Sequence, residues 1–83
     1  MGPEQVQVVG LILKALEAYY SSGCNLGEAR RIASRFFYKQ LKRPHYEAGV
    51  ESNTRVVLRK EGAKCIAAFA GNHDQVRKFL AKN

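Results

Sequence analysis

Residues 54–70 read TRVVLRKEGAKCIAAFA, and the fold turns on how they are read. Thr54 to Lys60 is rich in residues that fit a pleated, half-buried surface, and so is Ala63 to Ala70. Glu61-Gly62 between them reads as a tight two-residue turn, which makes the stretch a β-hairpin. That turn would set Leu58 opposite Cys65, Val56 opposite Ala67 and Thr54 opposite Phe69 as the core side. Arg55, Arg59 and Lys64 would share the other side, interleaved with an exposed Val57 and Ile66. An isolated hairpin is barely stable in water, so this one needs helices, a further strand or a second copy of itself to cover it.

On the C-terminal side, the pattern predicts a helix over His73–Lys82. Asn72 suits its N-cap, and Gln75 stands three residues on, where a capping box places its reciprocal partner. Val76, Phe79 and Leu80 would pack inward, with Arg77, Lys78 and Lys82 near the negative end of the helix dipole.

Residues 44–53, on the N-terminal side of the hairpin, are the hardest to read. Tyr46, Ala48 and Val50 alternate with His45, Glu47 and Glu51, as in a short edge strand, but Gly49 weakens the pattern and a loop fits as well. Before it, Leu26 to Leu41 reads as one helix, capped by Asn25 with Glu28 at its third position and ended by Pro44. Ala29, Ile32, Ala33, Phe36, Phe37 and Leu41 would form its core face. The first helix should span Pro3–Ser21, with Pro3 at its first position, Glu4 at the positive dipole end and Gly23 as a left-handed stop. Apart from a narrow polar stripe (Gln7, Gly10, Lys14, Glu17, Ser21), this helix is apolar all round. That arc is wider than one layer of core requires, so it must be covered from two sides, by its own domain or by a partner chain.

The order helix, helix, short strand, hairpin, helix places the chain in the α+β class. The expected architecture is one domain over residues 1–83, a small antiparallel sheet covered by helices on one face. A domain of this length hides only about 60–65% of the surface its unfolded chain exposes, which leaves little depth for a walled active site.

Charge is the anomaly in the composition. Fourteen Lys and Arg face seven Asp and Glu, for a formal charge of +7. Six of the cations, Arg30, Arg31, Arg35, Lys39, Lys42 and Arg43, follow one another with no acid between them. On a continuous helix, Arg31, Arg35, Lys39 and Lys42 recur at steps of four, four and three and form a stripe. Like charges so spaced repel by a few tenths of a kcal/mol per pair, a repulsion that a bound polyanion relieves. Arginine donates two parallel hydrogen bonds to a phosphate, and every phosphate contact releases condensed counterions. The expected site is therefore the phosphate-backbone footprint of a DNA or RNA, made by Arg30, Arg31, Arg35, Lys39, Lys42 and Arg43 and extended by Arg55, Arg59 and Lys64 on the hairpin. The hairpin's polar side offers no aromatic platform, so contact with backbone or shape is expected in place of base stacking.

Two other classes stay open. One is an assembly subunit that buries the first helix in a homodimer or against a protein partner. The other is a small basic ribonuclease-like enzyme using His45 and His73 as base and acid. No Gly-rich phosphate loop, nucleophile elbow or carboxylate cluster supports a catalytic reading, so a non-enzyme without cofactor is expected. Cys24, His45, Cys65 and His73 match no zinc-site spacing, and two cysteines do not make a disulfide scaffold. The longest apolar run, Val8 to Leu13, is too short to span a bilayer, and Glu4 precedes any Lys or Arg, the wrong order for a secretory leader. A soluble protein of the reducing cytoplasm is the expectation.

Overall fold

The structure is a computed structural model that describes residues 2–82. Seven elements follow one another: α1 (Pro3–Ser21), α2 (Leu26–Ile32), β1 (Phe37–Gln40), β2 (His45–Gly49), β3 (Thr54–Glu61), β4 (Lys64–Asn72) and α3 (His73–Lys82). The strands form an antiparallel meander in the order β1-β2-β3-β4. The class is α+β, as the order of elements implied.

Helix ends follow local chemistry. α1 stops in a Schellman turn: Cys24 N–H donates to the Tyr19 carbonyl (2.8 Å) and Gly23 N–H to that of Tyr20 (3.2 Å), with Gly23 at φ +76°. The Asn25 side chain caps α2 by accepting from Gly27 and Glu28 N–H. At α3 the capping box is complete, since Gln75 N–H donates to Asn72 Oδ1 (2.8 Å) and Asn72 N–H donates to Gln75 Oε1 (2.9 Å).

The second helix differs most from expectation. It ends at Ile32, and Ala33 already has extended dihedrals (φ −139°, ψ 106°). Residues 37–40 are a strand, not the last turns of a helix reaching Leu41. Ala29, Ala33 and Phe36 are buried as expected, whereas Ile32 is exposed. The cause is the aromatic run Phe36-Phe37-Tyr38, which the sheet divides between its faces as no helix would. Phe36 enters the core, Phe37 points to one face and Tyr38 to the other. β1 in turn converts β2 from an edge into an interior strand, with both His45 and Glu47 buried.

The hairpin exists, but its register is shifted. The turn residues are Gly62 and Ala63, flanked by the pair Glu61–Lys64, with Gly62 at φ +62°. Glycine is favoured at the first place of a two-residue loop because that place needs positive φ. Moving the turn by one residue shifts the partners by two, so Leu58 faces Ala67 and Lys60 faces Cys65. A bulge at Ala68 then adds one more residue, giving Val57↔Phe69, Val56↔Ala70 and Thr54↔Asn72. Phe69 is thereby carried to the opposite face from Val56 and Leu58, beside Val57.

That face is covered by α3. Phe79 stacks on Phe69 (4.8 Å between centroids) and meets His45 edge-on (5.8 Å), and Val57, expected in solvent, is fully buried. α1 and α2 cover the other face, where Ile12, Ala15, Leu16, Ala29 and Phe36 pack on Ala48, Val50, Val56 and Leu58. The helices, expected together on one side, divide between two sides because the bulge gives each side an apolar strip to bury. α1 packs through Ile12, Ala15 and Leu16, while Val6, Leu11 and Leu13 stay exposed.

Candidate polyanion-binding site

A meander fixes which turns share an end. The β1–β2 turn (residues 41–44) and the β3–β4 turn (residues 62–63) lie at one end of the sheet, and the β2–β3 loop (residues 50–53) lies at the other. The backbone ties the two turns together, since Lys60 N–H donates to the Pro44 carbonyl (3.1 Å). The β1–β2 turn closes on itself through Leu41 N–H to the His45 carbonyl and His45 N–H to the Lys42 carbonyl, both 2.9 Å.

This turn end gathers Lys42 and Arg43 from the first turn with Arg59, Lys60 and Lys64 from the second hairpin. Glu61 is the one acid among these turn residues, and it pairs with Arg59 at 3.4 Å. Lys42, Arg43, Lys60 and Lys64 are exposed and form no ion pair among the described residues; Lys60 Nζ lies over the Tyr46 ring (5.5 Å). Neighbouring strands are about 4.8 Å apart, so cations spread over four strands sit within one to two Debye lengths at roughly 0.1 M salt. Their fields therefore add.

The helical stripe expected from residues 30–43 does not form. Arg30 and Arg31 are on α2, Arg35 is in the connection after it, Lys39 is on β1, and Lys42 and Arg43 are in the turn beyond. Most of these cations are also engaged. Arg30 Nε donates to the Phe36 carbonyl (3.0 Å), Arg31 pairs with Glu28 (3.5 Å), Arg35 with Glu51 (3.7 Å), and Lys39 with the buried Glu47 (3.3 Å). Arg55 bends back over its own loop, where Nη1 donates to the carbonyls of Ser52 and Thr54. Its guanidinium lies over Phe37 (5.0 Å), a ring seated so flat on Gly49 that an added Cβ there would meet it at 2.7 Å. Of the nine cations expected in the footprint, the turn end unites Lys42, Arg43, Arg59 and Lys64 and leaves the other five elsewhere. Sequence reasoning passed over Lys60; the signal was present, because a lysine just before a hairpin turn must share an end with any turn two strands away.

Beneath this end, on the side of α1, all four tyrosines of the chain meet. Tyr38 stacks on Tyr46 (5.4 Å), Tyr19 and Tyr20 close on Tyr38, and the Tyr20 and Tyr38 hydroxyls are hydrogen-bonded to each other and approach Cys65 Sγ. Burial raises the pKa of both hydroxyls. The Cys65 contact pushes Tyr20 further up; for Tyr38 the Tyr20 hydrogen bond pulls down, and it stands at about 12. The group is a packed cluster that stays neutral at physiological pH. Cys65 is half-buried within it, whereas Cys24 is exposed.

His45 and His73 cannot act on one substrate atom. His45 pairs with Arg59 near the turns, and His73 follows Asn72 at the far end, about 16 Å of strand away. Among the described residues no three His, Cys, Asp or Glu side chains gather as a metal site requires, and no helix is long and apolar enough to cross a membrane. Comparison of the chain with protein-family models, with curated proteins and with solved structures finds no match.

Proposed function

We propose that this protein is a non-enzymatic module that binds the phosphate backbone of a nucleic acid through the turn end of its sheet. The observation that carries the reading is the convergence of Lys42 and Arg43 from one turn with Lys60 and Lys64 flanking the other, none of them in an ion pair among the described residues, while Glu61, the one acid there, is paired with Arg59. Arg59 is held there by Glu61 and can exchange that exposed partner for a phosphate at little net cost, because an exposed pair is worth about 1 kcal/mol or less. Tight turns project side chains outward from a rigid frame, which suits contact along a curved backbone more than reading of base edges.

The test is fluorescence anisotropy on labelled duplex DNA, duplex RNA and single strands over a salt series. Lys42→Glu/Arg43→Glu should weaken binding at least tenfold and flatten the salt dependence, by about 0.9 in log–log slope for each duplex phosphate no longer neutralised. Arg31→Glu/Arg35→Glu, which reverses as many charges on α2 and the following connection, should change affinity by about twofold or less. Equal losses in both variants would reduce the effect to net charge and overturn the site, and absence of binding by the parent at low salt would overturn the function.

A further inference from the structure

The two edges of the sheet are treated differently. β1 is four residues long, carries Lys39, and is followed by Lys42, Arg43 and Pro44. Short length, lysine and proline are the devices that keep an edge from pairing with another chain. β4 has nine residues and no charged residue from Cys65 to Asn72. Ile66 (43% exposed), Ala67 and Ala68 lie open on it. Every second residue of such an edge turns its N–H and C=O away from the sheet, ready for a further strand.

We infer that β4 pairs antiparallel with β4 of a second copy, joining two four-stranded sheets into one of eight. The self-complementarity of the strand argues for a second copy. Pairing about Ala67 and Ala68 sets Lys64 opposite the other copy's Gly71, Cys65 opposite Ala70 and Ile66 opposite Phe69, each pair on one side of the joined sheet. The two regular halves on either side of the bulge become two ladders, and Ala67 and Ala68 of the two copies meet at the two-fold axis, where their small side chains leave room. Charge agrees with this direction: the basic start of each strand, at Lys64, lies beside the end that leads into Asp74 in the other copy. A parallel arrangement would set Lys64 against Lys64.

A strand ladder alone buries less than the roughly 800 Å² per partner of a standard interface. α1 supplies more. Gln5 lines a cleft with Phe69, Ala70 and Gly71, and the Tyr20 hydroxyl reaches Cys65, so the helix runs beside β4 from end to start. Val6 (56% exposed) and Leu13 (42%) are two helical turns apart, on one side, and remain open. The second copy would cover them, which accounts for the part of the wide apolar arc of α1 that its own chain leaves bare.

The experiment is light scattering coupled to size exclusion from about 1 to about 200 µM, with urea unfolding as the check on folding. The parent should reach twice the 9.3 kDa chain mass. Ala68→Lys places two cations against each other at the axis and should return the protein to monomer while it still unfolds cooperatively. Gln40→Lys, on the β1 edge, should leave the dimer intact. A parent that stays at 9.3 kDa throughout would overturn the pairing. So would a dimer that survives Ala68→Lys but dissociates in Leu13→Lys, since that assigns the interface to the helix alone. Should Ala68→Lys fail to fold, Ile66→Lys, exposed on the same edge, serves in its place with the same two outcomes. The measurement uses no nucleic acid, so it stands or falls separately from the proposed function.

Discussion

The two ends of the sheet hold the same residue types and put them to opposite uses. At the loop end, Arg30, Arg35 and Arg55 are engaged by the Phe36 carbonyl, the Glu51 carboxylate and the carbonyls of Ser52 and Thr54. At the turn end, Lys42, Arg43, Lys60 and Lys64 stay in solvent. Nearby acceptors, backbone carbonyls and one carboxylate, make the difference. The β2–β3 loop satisfies few of its own carbonyls, and a planar guanidinium with several donors fills the deficit. The four-residue turn closes on itself and its Pro44 carbonyl accepts from Lys60 N–H, and no side chain bonds to either turn among the described residues. A count of cations therefore says little about where a polyanion can sit; the share already held by carbonyls and carboxylates decides it.

The sharpest contrast between the ends should appear in stability. Phe36, at the loop end, is fully buried among Ala29, Ala33 and the α1 residues above it. Phe36→Ala should cost about 3–5 kcal/mol, a large part of what so short a domain possesses. Lys42→Ala, at the turn end, should move the stability measured by urea unfolding by no more than about 0.5 kcal/mol. A change of more than about 1 kcal/mol in Lys42→Ala would mean that the turn end is structural as well.

Ion pairs refine the same contrast. The Glu47 carboxylate is only 3% exposed and has Lys39 at 3.3 Å, whereas Arg35 and Glu51 are both largely in water. Lys39→Met strands a buried charge and should cost about 1–2 kcal/mol, held to that by the half-exposed position of the lysine. Glu51→Gln should cost less than about 0.5 kcal/mol. Double-mutant cycles on the two pairs would measure the coupling directly, and equal values would erase the distinction between structural and surface cations on β1 and its approach.

What could be read from the sequence follows the same physics. The limits of α1 and α3, the cap of α2 and the existence of the hairpin rest on local signals (Pro3, Gly23, Asn25, Asn72 with Gln75, Gly62), and these were legible. The strand at residues 37–40 was not. No Gly or Pro stands between Gly27 and Pro44, and Ala29, Ala33 and Phe36 suit a helix and the observed packing equally. What favours the strand is the need of β2 for a neighbour and the two faces that the sheet offers to Phe37 and Tyr38, and neither is visible until the sheet is assembled. The basic stripe fell with that helix, because its spacing was meaningful only at 3.6 residues per turn. The bulge at Ala68 carries no mark in an alanine-rich strand, so the side taken by Phe69, and with it the position of α3, could not be foreseen. Lys42 and Arg43 lie in a turn and Arg59 and Lys64 at the strand ends beside the next one, positions that are exposed in either reading.

The smallest expected effect concerns the tyrosines under the turn end, and it is absent at neutral pH. Tyr20 and Tyr38 have pKa values raised by burial, that of Tyr38 to about 12, against about 10 for a tyrosine in the unfolded chain. Between those values the folded protein holds protons that the unfolded chain has released, so this stabilisation is complete below pH 10 and declines as pH rises toward 12. Raising the pH from about 9 to about 11 should therefore lower the urea midpoint of the parent more than that of Tyr20→Phe/Tyr38→Phe, which has no hydroxyls to titrate there. The lysines titrate in the same range in both proteins, so the difference between them isolates the tyrosines. Tyrosinate absorbance in the folded parent should likewise trail that of the unfolded chain. If both proteins lose stability in parallel and the tyrosines ionise near the ordinary value of about 10, the cluster is open to water, and the turn end stands on a softer base than its packing implies.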